Sequence, residues 1–167
     1  MRGLLLSLFY LVFLASCLSG SRAPLSVGQD GSTSENLLRG QVASLAKAIS
    51  NEDVIALQNI FTSLFTVSPE LAGRFRTTSQ GGSGLDFFKQ LFKENENINL
   101  EISPSKVEIN GRVGVVTADT SLSAVYLLDV PPTTYQAQTT DILVFQIQDE
   151  TWKLVSWTEK STEEPKA

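Results

Sequence analysis

Histidine is absent from these 167 residues and cysteine occurs once, at Cys17, so most side-chain chemistry is closed to the chain. Without imidazole there is no Ser-His or Cys-His nucleophile pair and no ordinary zinc site, and neither a metal nor a cofactor is expected. Carboxylates remain. Asp141 stands apart among them because it alternates with Leu143, Phe145 and Ile147, as residues on one face of a strand do. Asp119 alternates with Thr117, Ser121 and Ser123 and reads as solvated. Other suggestive spacings lack their companions. Ser44-Leu45-Ala46-Lys47 and Ser103-Pro104-Ser105-Lys106 fit the S-x-x-K of penicillin-recognising enzymes, but the accompanying motifs are missing and Ser44 falls inside a helical pattern. Gly81-Gly82-Ser83-Gly84 has no preceding strand and no Walker lysine, which argues against a phosphate loop. Glu94-Asn95-Glu96-Asn97 lacks the glycine of a calcium loop and reads as a helix end in solvent. With 13 basic against 18 acidic side chains and no basic cluster, the net charge of −5 argues against a nucleic-acid partner.

Cys17 suggests a chemistry of its own. Arg2 precedes an apolar stretch from Leu4 to Leu14, suited to a signal-peptide core and well short of the ~20 residues that span a bilayer. It runs into Leu14-Ala15-Ser16-Cys17, which resembles the bacterial lipobox, where a peptidase cuts before a cysteine whose thiolate carries diacylglycerol. The alternative is an ordinary signal peptide cut after Ser19 or Ala23. On the lipobox reading, residues 1–16 are a lipoprotein signal peptide and residues 17–35 a lipidated cysteine with a Ser/Gly-rich tether of roughly 25 Å reach. Residues 36–159 then form the folded domain and residues 160–167 a polar tail. Leu18, rather than aspartate, after the cysteine favours the outer over the inner membrane of a bacterial cell envelope.

The elements that must position Asp141 follow from periodicity. Leu38, Val42, Leu45 and Ile49 fall on one face of a first helix. Ser50-Asn51-Glu52-Asp53 matches a capping box opening a second helix that carries Val54, Leu57, Phe61 and Leu64 inward. Ser68-Pro69-Glu70 predicts a short helical turn, and Ser83 can cap a longer helix bearing Leu85, Phe88, Leu91 and Phe92. After Asn97 the pattern alternates. Asn110-Gly111 predicts a tight hairpin turn with two positive φ angles. Val116, Ala118, Thr120, Leu122, Ala124, Tyr126 and Leu128 then share one face of a long strand, which Pro131-Pro132 ends. The strand of Asp141 follows, then a turn near Asp149-Glu150 and a last strand from Trp152 to Trp157. Helices first and antiparallel strands afterwards make an α+β domain.

This order resembles the nuclear transport factor 2-like superfamily, as do Ala48-Ile49-Ser50-Asn51-Glu52-Asp53-Val54-Ile55-Ala56-Leu57 at a helix junction and Trp152-Lys153-Leu154-Val155-Ser156-Trp157 in the closing strand. The resemblance implies a curved antiparallel sheet wrapped around the N-terminal helices, a cone whose apolar interior often forms a pocket. Phe61, Phe65, Phe88, Phe92, Tyr126 and Phe145 are candidate lining residues. Ketosteroid-isomerase-like members use a carboxylate base and a helix-borne tyrosine, because an enolate oxygen must be stabilised. The first two helices here have no tyrosine, so Asp141 is a weak catalytic candidate, with an exposed aspartate at a strand end as the favoured alternative. The expected function is a lipid-anchored lipoprotein whose domain binds a small apolar ligand or an envelope protein without catalysis, and homodimers fit the resemblance. A pocket enzyme acting on a carbonyl or lipid-like substrate and a structural subunit of an envelope complex stay open.

Overall fold

A computed structural model describes residues 31–160. The leader, Cys17, most of the tether and the tail beyond Lys160 lie outside them. Helix α1 (Gly31–Ser50) buries Leu38, Val42, Leu45 and Ile49 completely, as their spacing predicts. Its first residues, 31–35, fall inside the stretch assigned to the tether and are helical. The extra turn is held by Glu35, which pairs with Arg39 one turn on at 2.8 Å, while Arg39 also donates to the Pro104 carbonyl at 3.1 Å.

Ser50 does not cap the second helix, because α1 runs through it. Its Oγ accepts the Leu100 N–H at 2.9 Å instead, tying α1 to the sheet. The cap of α2 (Val54–Ile60) is Asp53, which accepts from the Ala56 N–H at 2.9 Å. That helix stops where Phe61 turns extended and bridges to Leu154, so Leu57, Ile60 and Phe61 are buried while Leu64 is 85% exposed. Ser68 caps α3 (Pro69–Arg74) at the Leu71 N–H, with proline at the helix start. Two short strands, β1 (Thr66–Val67) and β2 (Gly82–Ser83), pair antiparallel on either side of it. Helix α4 (Gly84–Glu94) follows and buries Phe87, Phe88 and Leu91, though Ser83 makes no side-chain cap bond. Gly84 is required by packing, since a Cβ there would run into the Phe65 ring.

Strands β3 (Asn95–Asn110), β4 (Val113–Tyr126), β5 (Thr133–Gln148) and β6 (Thr151–Glu159) form one antiparallel meander in which each strand pairs with its neighbours in the chain. The first hairpin turn centres on Gly111 and Arg112, one residue later than predicted, and only Gly111 there has positive φ. Two successive positive φ values occur instead at Asp149 and Glu150, between β5 and β6. Strand β4 alternates as read, from Val116 through Ala124, but ends at Tyr126, leaving Leu128 exposed in the following turn.

Three register shifts set the face of the edge strands, the first between Glu96 and Asn99 on β3. Pairing passes from Pro104 with Ala118 to Lys106 with Thr117, and the extra Ser105 lets Ile102 and Val107 both pack inward. On β6 the partners pass from Leu154 with Phe145 to Ser156 with Val144. Val155 is the extra residue, and beyond it Trp157 turns to the same inner face as Trp152 and Leu154. Helices cover that inner face. Gly114 lets α1 approach, because a Cβ there would meet the Leu38 side chain. Among the described residues, no helix is long and apolar enough to cross a membrane.

Candidate functional site

The inward row of β5 ends its apolar part at Asp141, which shares parity with Leu143 and Phe145 and is 0% exposed. The exposed-aspartate alternative is therefore corrected: this carboxylate lies inside. A buried carboxylate needs compensation, because removing an unpaired charge from water costs several kcal/mol. Arg74, the last residue of α3, supplies it. Its side chain is 9% exposed, and Nη1 donates to Oδ1 at 2.9 Å and to Oδ2 at 2.8 Å. The same nitrogen donates to the Thr139 hydroxyl. Trp157 Nε1 adds a bond to Asp141 Oδ2 at 2.7 Å, and the Arg74 guanidinium carbon lies 5.9 Å from the Trp157 ring centre. Phe75 meets that indole edge-on at 6.2 Å and continues into Phe87 and Phe88.

The geometry leaves a remainder. Among the described residues, Arg74 Nε and Nη2 are buried without an acceptor, and the Thr120 hydroxyl on the same inner face has no partner. A buried donor without an acceptor costs about 1–3 kcal/mol, more when charged. Burial raises the Tyr135 phenol above its ordinary range, and Arg76 opposes that only in part.

A second polar centre lies at the end of α4. Glu94 and Asn95 are buried, not solvated, which corrects the reading of that segment. Burial alone would raise the Glu94 carboxyl, but hydrogen bonds from Thr77, Thr78 and Gln90 outweigh it and hold the pKa at about 2. Thr78 N–H donates at 2.7 Å and Thr77 Oγ1 at 2.6 Å, while Asn95 Nδ2 donates to the Arg76 carbonyl at 2.8 Å. The clamp fixes Arg76, which pairs with Asp129 at 2.9 Å and stacks over Tyr126 at 4.7 Å.

Of the candidate lining residues, Tyr126 borders a cleft of about 430 Å³ with Arg76, Thr77 and Gln80. Phe61 and Phe65, their ring centres 4.5 Å apart, border another of about 350 Å³ with Thr62 and Leu85. Phe88 and Phe145 are core residues with no exposure, and Phe92 packs against Phe88 from a half-buried position. A polar hollow of about 460 Å³ on the outer sheet face holds Glu101, Asp119 and Thr140. Among the described residues, no group of three or more metal-ligating side chains converges.

Sequence reasoning reached Asp141 but neither of its partners. One signal for Arg74 was present, since it follows the buried Leu71 by three residues on the same helix. Trp157 was hidden by the bulge. Chemically, both Asp141 oxygens are engaged and out of solvent, with no phenol or imidazole bonded to them. Its oxygens are thus held by the Arg74 guanidinium and the Trp157 indole.

No protein-family model and no curated protein sequence matches the chain. Solved structures do. A nuclear transport factor 2-like superfamily protein from Salmonella enterica serovar Typhimurium LT2 aligns with a TM-score of 0.59 at 15% identity, covering 81% of this chain and 96% of its own. The CaMKII hub of S. rosetta aligns at 0.54 with 20% identity, over 75% of this chain and 94% of its own. The association domain of C. elegans CaMKII aligns at 0.55 with 18% identity, over 78% and 96% respectively. The chain has the nuclear transport factor 2-like α+β fold.

Proposed function

We propose that the chain is a lipid-anchored protein of the bacterial cell envelope, more precisely placed at the outer than the inner membrane, whose folded domain binds a small ligand without catalysis. The observation that supports a binding role is the pair of clefts bordered by Tyr126 and by Phe61 and Phe65, while both oxygens of the candidate base Asp141 are occupied by Arg74 and Trp157. Anchoring rests on Leu14-Ala15-Ser16-Cys17 behind the apolar leader. Association with a second copy is supported by two structural neighbours named as hub and association domains. The full gene, expressed in a bacterium fed labelled palmitate, tests both parts of the reading. The purified protein should carry label that Cys17→Ala abolishes, and native mass spectrometry should find a small molecule bound to it. Label persisting in the variant refutes anchoring at Cys17. A polypeptide mass free of any bound molecule refutes the ligand role.

A further inference from the structure

The loop that joins β4 to β5, from Leu127 to Pro132, is built inside out. Its one charged residue, Asp129, is turned back onto the domain, where it pairs with Arg76 at 2.9 Å and accepts from the Thr133 hydroxyl. Leu128 and Val130 on either side of it stand 54% and 97% exposed, and Leu127, Pro131 and Pro132 are exposed as well. Both strands fasten this arrangement. The Leu127 N–H donates to the Glu94 carbonyl at 2.9 Å, and Arg76 donates to the Thr133 hydroxyl at 2.7 Å while stacking over Tyr126. Asn95, next to Glu94, holds the Arg76 carbonyl in turn. A loop that only reversed the chain would leave its carboxylate in water, and contiguous apolar surface held outward by polar clamps marks a contact site. We propose that this tip is a membrane wedge, seated between the headgroups and upper acyl chains of the bilayer. It adds a second attachment to the anchor proposed above and rests on that anchor for its membrane.

Size and charge favour lipid over a protein partner. The tip is one short loop, far from the roughly 20–30 residues a side of a stable protein interface, whereas a bilayer asks for apolar surface and no complementary shape. It contains no lysine or arginine, and its carboxylate is matched by Arg76, so it enters an apolar medium without an unpaired charge. The two attachments then fix an orientation. Helix α1 runs toward its start past Leu38, which lies against Gly114, while the tip follows Tyr126 at the other end of β4, roughly 40 Å away. The chain from Leu18 to Asp30 reaches at most about 45 Å when fully extended. Anchor and wedge are therefore satisfied together with the sheet lying lengthwise along the membrane, not standing on it.

The test uses the full-length gene product, made in a bacterium fed labelled palmitate and mixed with vesicles of phosphatidylethanolamine and phosphatidylglycerol. Val130→Cys carries an environment-sensitive fluorophore. Cys17 offers no competing thiol, being alkylated on the lipobox reading and removed with the leader on the other. Lipids brominated on their acyl chains should quench the probe and shift its emission to the blue, at low and high salt alike because the tip carries no net charge. Leu128→Asp should abolish both effects, and as an exposed substitution it should leave the thermal midpoint where it was. Palmitate on the protein with no quenching overturns the wedge and leaves the anchor standing. Quenching in a chain free of palmitate supports the wedge and refutes anchoring at Cys17 instead. Quenching that survives Leu128→Asp overturns the wedge, and so does a probe shielded from water and bromine alike in a dimer that Leu128→Asp dissociates, since a second copy then covers the tip.

Discussion

Replacing Glu94 by glutamine should destabilise the protein by about 3 kcal/mol at pH 7 and by much less at pH 2. The carboxyl sits at about 2 in the folded chain against an ordinary 4.5, because the donors from Thr77, Thr78 and Gln90 outweigh its burial. At ~1.4 kcal/mol per pKa unit, that difference stabilises the fold wherever the unfolded carboxyl is ionised, which is above pH 4.5. As pH falls the unfolded chain takes up a proton first, so about 2 kcal/mol of the contribution is gone by pH 3 and most of it by pH 2. Glutamine cannot ionise and turns an N–H pair toward the Thr78 N–H, so the variant lacks the contribution at every pH. Urea denaturation of both proteins at pH 7, 3 and 2, with equal slopes, reads the difference directly. A gap between the two midpoints that stays constant over this range would refute the account, because it would mean that shape rather than charge at Glu94 matters.

Asp141→Asn should cost about 3–5 kcal/mol, because it leaves the buried Arg74 without its counter-charge. Thermal unfolding of the isolated variant checks this, and an unchanged midpoint would return Asp141 to the surface. Phe145→Ala should cost ~3–5 kcal/mol, as expected for a fully buried ring, while Gln146→Ala on the exposed face should cost about 0.5 kcal/mol or less. Equal urea midpoints for the pair would contradict the inward parity of β5.

What the sequence made legible were the periodic parts. Four apolar residues on α1, the alternation of β4 and β5, the proline start of α3 and the double-proline break before β5 all report local backbone period, which survives without knowledge of the rest of the fold. The failures share a different physics. Ser50 looks like a cap until Leu100, 50 residues later, takes its hydroxyl, and Leu64 looks helical until Phe61 finds Leu154. Trp152 and Trp157 stand five apart, an odd spacing that simple alternation puts on opposite faces, and only the bulge at Val155 brings both inward. Asp141 was visible as a carboxylate in an apolar row, but its burial depended on an arginine 67 positions earlier in the chain. The candidate site is thus legible one residue at a time and unreadable as a cluster, since nothing local in α3 announces what β5 will bring to it.

The closing position of β6 has a consequence for how the protein comes into being. Leu154 and Trp157 are the last large core residues in the chain, yet they meet α2 through the Phe61 bridge and α3 through Asp141 and Arg74. Helix α1 is covered earlier by β3 and β4, but Phe61 and α3 lack their partners until the final strand arrives. Each hairpin of the meander can zip locally, but the cluster around Asp141 can close only when almost the whole chain is available. A polypeptide delivered from its N-terminus, whether by a ribosome or through a translocation channel, therefore completes this cluster only at the end of the journey.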